Sequence, residues 1–230
     1  MLEKLKIDVC AANIALKEHG LVVLTWGNVS AIDRETGLIV IKPSGVPYDE
    51  LTPENMVVVD LCGRVVEGNL NPSSDTPTHV YLYKKYEKIG AVVHTHSTFA
   101  TAFAQAGQAI PALGTTHADA FYGDVPCTRH LGEKEVAECY EESTGKVIAE
   151  VISDPEKMPA ALVRNHGAFT FGKTAKKAVD IAVTLEETAK IAYLTKTLDP
   201  SALRVPEYIL DKHYFRKHGD GATYGQKDKE

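Results

Sequence analysis

Four short β-forming runs follow one another with no helix between them: LVVLT (21–25), GLIVIKPSG (37–45), MVVVDL (56–61) and RVVEG (64–68). Each is rich in Val, Ile or Leu and is bounded by Gly, Pro, Asn or Asp, as strands closed by turns are. A fifth run, AVVHTH (91–96), comes only after a helical stretch. Strands in sequence followed by helices favour an α/β domain of the layered α+β kind over a Rossmann alternation. The expected architecture is a single domain with a central mixed or antiparallel sheet flanked by helices.

The helical segments are read from their 3.6-residue period. Leu5, Val9, Ala12 and Leu16 line one face of an opening helix that Gly20 stops. TPTHVYLYKKYEK (76–88) opens on Thr-Pro, FATAFAQAG (99–107) follows the fifth strand, and TGKVIAEVIS (144–153) is a further helix. AALVRNHGAFTFG (160–172) reads as strand, break, strand. In 174–198, Thr174 can cap a long helix whose Ala178, Ala182, Leu185, Ala189 and Ala192 form a small-residue face suited to close packing. PEYILDKHYFRKHG (206–219) is the last helix, and the tail behind it is polar apart from Tyr224. The 230 residues show no repeat and no low-complexity linker, so one domain, 1–230, is expected.

A net charge of −6 without a basic block argues against a nucleic-acid partner. No apolar run reaches the ~18 residues of a membrane span, so no membrane association is expected. MLEKLKIDVC lacks the apolar core of a signal peptide. Cys10, Cys62, Cys127 and Cys139 form no CxxC pattern and read as reduced thiols, which points to the cytoplasm.

Chemistry enters at AVVHTHS. Residues i and i+2 of a strand share a face, so His94 and His96 project together as a chelating pair. His166 in VRNHGAF sits where a second apolar strand breaks before a glycine. Three imidazoles with a fourth position open are the layout of a catalytic zinc. Asp75 in PSSDTPTH is the nearest carboxylate candidate, as a ligand or as a base beside the ion. His19, His79, His117, His130 and His218 have no such pairing and default to helix surface or a satisfied loop. TWGNVS (25–30) and KPSG (42–45) combine glycine with small hydroxyl or amide residues, and PSSD (72–75) repeats the theme with two serines, a composition that can cradle an anion. Lys42 can add a positive charge, and Ser73 and Ser74 precede a helix N-terminus. Together they suggest a phosphorylated or polyhydroxy substrate.

TWGNVS, KPSG, PSSDTPTH, VVHTHS, GTTHADAFYGDVPCTR and the C-terminal LDKHYFRKHG with TYGQ, taken in order, resemble the pentulose-phosphate 4-epimerases of the class II aldolase/adducin superfamily, from about residue 1 to 226. The His-x-His and Asn-His-Gly parts are common to the superfamily; GTTHADAFYG and TYGQ are closer to the epimerases. The resemblance implies a sheet of nine or so strands and a fourfold-symmetric homotetramer with active sites at subunit interfaces. It also implies one divalent ion per subunit, zinc (Zn²⁺) with manganese (Mn²⁺) as the alternative. Its metal ligands would be His94, His96 and His166, with Asp75 added. Its substrate contacts would be Gly27, Asn28, Lys42, Ser44, Gly45, Ser73 and Ser74. Its acid and base would be Asp119 and Tyr224, contributed across the interface, and a C-terminal tail of about residues 219–230 would contribute to the active site. His213 would be an accessory group.

The implied reaction inverts C4 of L-ribulose 5-phosphate to give D-xylulose 5-phosphate, in arabinose or ascorbate breakdown. With the ketone at C2, the C4 proton is not acidic, so the C3–C4 bond must break and reform. That route needs a Lewis acid at the C2 and C3 oxygens, a phosphate grip, and one proton-transfer group for each face of the C4 carbonyl. The rival enzymes are sugar-phosphate aldolases of the fuculose or rhamnulose 1-phosphate type, which by the same resemblance carry Glu where this chain has Asp75, and, more remotely, a dehydratase of the methionine-salvage type. A non-catalytic adducin-like module would be expected to lack the three histidines.

Overall fold

The structure, a computed structural model, describes residues 2–218, 222 and 223. Seven helices and one seven-stranded sheet are described. The helices are α1 (Glu3–Glu18), α2 (Thr76–Lys85), α3 (Thr98–Ala106), α4 (Thr115–Ala118), α5 (Glu133–Val151), α6 (Ala175–Leu198) and α7 (Glu207–Phe215). The strands are β1 (Asn28–Asp33), β2 (Leu38–Ile41), β3 (Val57–Val59), β4 (Val65–Glu67), β5 (Ala91–Thr95), β6 (Ala160–Leu162) and β7 (Ala168–Gly172). Their order is β4-β3-β2-β1-β5-β7-β6, with every neighbouring pair antiparallel. The count is lower than the nine or so strands the resemblance implied, because three further pairings, Pro43 with Pro72, Ile110 with Val125 and Cys127 with Leu162, stop at isolated bridges.

Alternation along the strands sorts the core into two faces. Val29, Ala31, Val40, Val58, Ala91 and Val93 pack with α1 and the first half of α6. Ile32, Ile39, Ile41, Val57, Val59, Val92, Phe169 and Phe171 pack with α2 and α5. A third cluster joins α3 to the second half of α6 through Ala100, Ala104, Leu185, Ala189 and Ala192. The small-residue face of α6 does what its composition suggests: a methyl added at Gly172 on β7 would lie 2.5 Å from the backbone nitrogen of Ala178.

Two sequence expectations are corrected. LVVLT is not a strand but an irregular segment with Val23 and Leu24 exposed and Leu24 in the left-handed region at φ 53°. The strand begins after it, at Asn28, so TWGNVS enters a strand rather than leaving one. The helix expected at 144–153 starts at Glu133 and carries a backbone break at Cys139 (φ −155°, ψ 65°). All four cysteines are free thiols, and no described helix is long and apolar enough to cross a membrane.

Candidate metal centre and anion pocket

The parity that sends Val92 and Phe169 to the α2/α5 face also sends His94 there, since it lies two residues on from Val92. Its ring stacks on Phe169, with centroids 4.3 Å apart. His96 stands just past the end of β5 on the same parity, and its Nε2 lies 3.0 Å from the Nε2 of His94. His166 arrives from the β6–β7 turn. That turn is closed by Val163 N–H donating to Gly167 O and His166 N–H donating to Val163 O, with Asn165 left-handed at φ 61°. Gly167 makes the approach possible, because a Cβ there would stand 2.5 Å from the Thr95 carbonyl oxygen and 2.9 Å from Cδ2 of His96. The ligand atoms of His94, His96 and His166 all lie within 4.8 Å of one another.

The donors fit a divalent cation. The Ala168 carbonyl can only accept, so the His94 Nδ1 at 3.0 Å from it carries the proton, and the Nε2 lone pair is left free. Burial holds the His94, His96 and His166 imidazoles below their ordinary values, against the pull of Asp75, and so keeps them neutral. Two imidazole nitrogens 3.0 Å apart need a proton or a cation between their lone pairs. In a tetrahedral zinc site with bonds of ~2.0–2.1 Å they would be about 3.3 Å apart. Among the described residues the ligand-competent group is these three histidines. Asp75 lines the same cavity but is outside that group; its Oδ2 accepts from Asn28 Nδ2 at 2.7 Å. Burial pushes the Asp75 carboxyl up, but His94, His79 and the Asn28 amide outweigh it, and it stays below the usual range.

The cavity in front of the histidines measures about 410 Å³ and is walled by all three glycine and serine loops. Gly27, Asn28, Lys42, Ser44, Gly45, Ser73, Ser74 and Asp75 all line it with His94, His96 and His166. Asn28 opens β1 opposite His94 and donates to Ser73 Oγ at 3.0 Å. Lys42 differs from the expectation of a free cation: it is buried, and its Nζ donates to the Val46 and Pro43 carbonyls at 2.8 and 3.3 Å. Burial brings its pKa down to about 8.

Two lining residues escaped sequence reading. Tyr140 and Glu141 follow directly on the break at Cys139. The Tyr140 hydroxyl lies 3.4 Å from His166 Nδ1. CYEES contains neither Gly nor Pro, so nothing local signalled the break. His79, read as a surface or satisfied histidine, is fully buried. Its Nδ1 sits 2.7 Å from Ser30 Oγ, itself 2.7 Å from the Tyr83 hydroxyl, while its Nε2 has no partner.

Asp119 and His213 are not at this cavity. Asp119 lines a second pocket with Lys177, Asp180, Lys217 and His218, and the two pockets share no lining residue. Arg216 donates to both Asp119 oxygens, Lys217 lies 3.1 Å from Oδ2, and His213 Nδ1 lies 3.0 Å from Oδ1. Burial works to raise the Asp119 carboxyl, and these partners more than reverse it, keeping it ionised. Tyr224 and most of the 219–230 tail lie outside the described residues.

The profile of the family described as Class II Aldolase and Adducin N-terminal domain matches residues 7–193. An L-fuculose 1-phosphate aldolase of known structure is 29% identical, with a TM-score of 0.80, over 93% of this chain and 95% of that chain. The L-fuculose-1-phosphate aldolase from Thermus thermophilus is 25% identical, with a TM-score of 0.67, over 88% of this chain and 99% of that chain. The L-fuculose 1-phosphate aldolase from Glaciozyma antarctica shares the fold at 22% identity, with a TM-score of 0.78, over 96% of this chain and 84% of that chain.

Proposed function

The chain belongs to the class II aldolase and adducin N-terminal domain family, and on that premise we propose that it is a metal-dependent 4-epimerase interconverting L-ribulose 5-phosphate and D-xylulose 5-phosphate. The observation that carries the reading is one cavity that joins three neutral imidazoles to three glycine and serine loops. His94, His96 and His166 would hold the ion, which we assign as zinc with manganese as the alternative. When bound it supplies Lewis acidity for the C2 and C3 oxygens of the sugar.

The chain's own groups then divide the remaining work. Gly27, Asn28, Ser44, Gly45, Ser73 and Ser74 grip the phosphate through backbone N–H, amide and hydroxyl donors. Cleavage of C3–C4 leaves the enediolate of dihydroxyacetone and glycolaldehyde phosphate. The aldehyde turns about its phosphate anchor and is attacked on its other face. Asp119, held ionised by Arg216 and Lys217, takes or returns the C4 hydroxyl proton on one face, and Tyr224 does so on the other. Asp119 lies in a pocket separate from the metal cavity of its own chain, which supports its delivery by a neighbouring copy in a homotetramer. His213 keeps the Asp119 carboxylate oriented.

Asp75 supports the epimerase over the aldolase. An aldolase must protonate C3 before it releases its ketose product. A carboxylate one methylene shorter than Glu, committed to Asn28, is poorly placed to deliver that proton, so the enediolate survives to re-add. The aldolase remains the second reading, favoured by the 29% identity to an L-fuculose 1-phosphate aldolase. Incubation with L-ribulose 5-phosphate, and separately with L-fuculose 1-phosphate, decides between them. The epimerase reading expects D-xylulose 5-phosphate without free glycolaldehyde phosphate. Efficient cleavage of L-fuculose 1-phosphate with no epimerisation would replace it with the aldolase.

A further inference from the structure

The three loops of the cavity come from distant parts of the chain, yet their backbones meet at one buried pair, Lys42 and Tyr48. Lys42 carries the second loop, and its carbonyl accepts from Ser73 N–H at 3.0 Å, tying in the third. Its ammonium holds the Val46 and Pro43 carbonyls and lies 5.0 Å from the centre of the Tyr48 ring. Tyr48, itself buried and no part of the cavity wall, places its hydroxyl 2.8 Å from the Trp26 carbonyl oxygen and 2.9 Å from that of Gly27, closing the first loop. Gly27 is held in the left-handed region at φ 80°, with no room for a side chain: a Cβ would stand 2.8 Å from the His94 carbonyl oxygen.

We propose that Tyr48 is a positioning residue for the phosphate grip: by holding the Trp26 and Gly27 carbonyls it turns the Gly27 N–H toward the ligand and, through Lys42, keeps the three loops in register. A trans peptide carries its N–H opposite its C=O, so a Trp26 carbonyl anchored on Tyr48 directs the Gly27 N–H away from Tyr48; Trp26 and Gly27 line the cavity and Tyr48 does not. Burial raises the phenol and keeps it protonated, so the hydroxyl remains a donor. The polar side-chain contacts of Tyr48 are to Trp26, Gly27 and Lys42 and to none of the three histidines, so its effect is expected at the anion rather than at the ion. The inference rests on the phosphate-binding reading above.

The test is Tyr48→Phe in the full zinc-loaded protein. The variant keeps the ring over Lys42 and removes only the hydroxyl. Inorganic phosphate binding by calorimetry should weaken about tenfold, with a similar rise in KM for L-ribulose 5-phosphate, because the Gly27 N–H loses its fixed direction once the two part-buried carbonyls lose the one hydroxyl proton they share. Zinc affinity should stay close to wild type, while the melting temperature should fall by a few degrees, because the carbonyls lose their donor in the folded chain. Unchanged phosphate affinity overturns the proposal, and so does a loss of zinc affinity as large as the loss of phosphate affinity, which would mark a general structural role. Wild-type protein that binds no phosphate overturns it as well. Wild-type protein that binds phosphate but turns over neither sugar phosphate removes the proposed function alone, and the phosphate affinity of Tyr48→Phe still decides the role of Tyr48.

Discussion

Gly167 shapes the proposed metal centre along with its histidines, because it is the residue whose missing Cβ lets the β6–β7 turn close against the end of β5. Gly167→Ala should lower zinc affinity about ten- to hundred-fold, since the atom it would meet first is the Thr95 backbone oxygen, which cannot swing aside. Competition with a chromogenic chelator measures this, and wild-type affinity would show that the turn can shift without cost. Asp119→Asn and Tyr224→Phe should leave zinc content intact and reduce epimerisation by about a hundredfold or more each, the scale of a lost proton-transfer group. Full turnover in both would take them out of the reaction. The histidines were legible because their spacing encodes direction: two residues on a strand is one face. Asp75 and Lys42 were legible as cavity residues but not in their bonds, since a sequence does not say that Asn28 claims the one or that the Val46 carbonyl claims the other. Tyr48 was invisible, being a tyrosine in a turn whose partners are carbonyls of a loop some twenty residues earlier.

At the scale of elements, helix α3 illustrates how a tertiary contact can replace a local signal. Ser97 stands at its N-cap but makes no side-chain cap. The N–H groups of Phe99 and Ala100 instead donate to the two carboxylate oxygens of Glu186 on α6, at 2.8 and 2.9 Å. Glu186→Gln leaves one of them without its acceptor and should cost about 1–2 kcal/mol, read as a lower urea midpoint at unchanged slope. No change in midpoint would mean that water caps the helix equally well. Most of the sheet was readable from apolar runs, and the miss at LVVLT is instructive. The competing strand, NVSAID, buries Asn28 and Ser30 at 2% and 0% exposure, and hydropathy argues against that. Ser73 and Asp75 accept from the Asn28 amide nitrogen, and His79 and Tyr83 bond the Ser30 hydroxyl, while Asn28 Oδ1 has no protein partner among the described residues; such partners are set by the tertiary fold.

Across the whole molecule, buried neutral imidazoles link stability to pH. Burial takes His79 down to about 4, whereas an unfolded histidine titrates near ~6.5. Between those values the unfolded chain binds the extra proton, so stability rises with pH: the contribution is complete above ~6.5 and is lost as pH falls toward the folded value, at up to about 1.4 kcal/mol per pH unit for this residue. His117 is shifted in the same direction by burial. The urea midpoint of metal-free protein should therefore fall steadily from about pH 6.5 to about pH 4.5, and a flat profile would show that these rings are not sealed from water. The placement of the three metal-site histidines also has a kinetic side. His94 sits on a central strand, with Asn28 paired on one side and Phe169 on the other, while His96 and His166 lie beyond the ladder. Freeing His166 asks that the β6–β7 turn open, with loss of the Asn165 N–H bond to Ala104 O and the His166 N–H bond to Val163 O; freeing His94 asks that β5 part from two neighbours. Amide exchange should accordingly be faster at Asn165 and His166 than along β5. A bound ion would then come and go through the turn, exchanged with solvent one ligand at a time, while the sheet that fixes its depth stays shut.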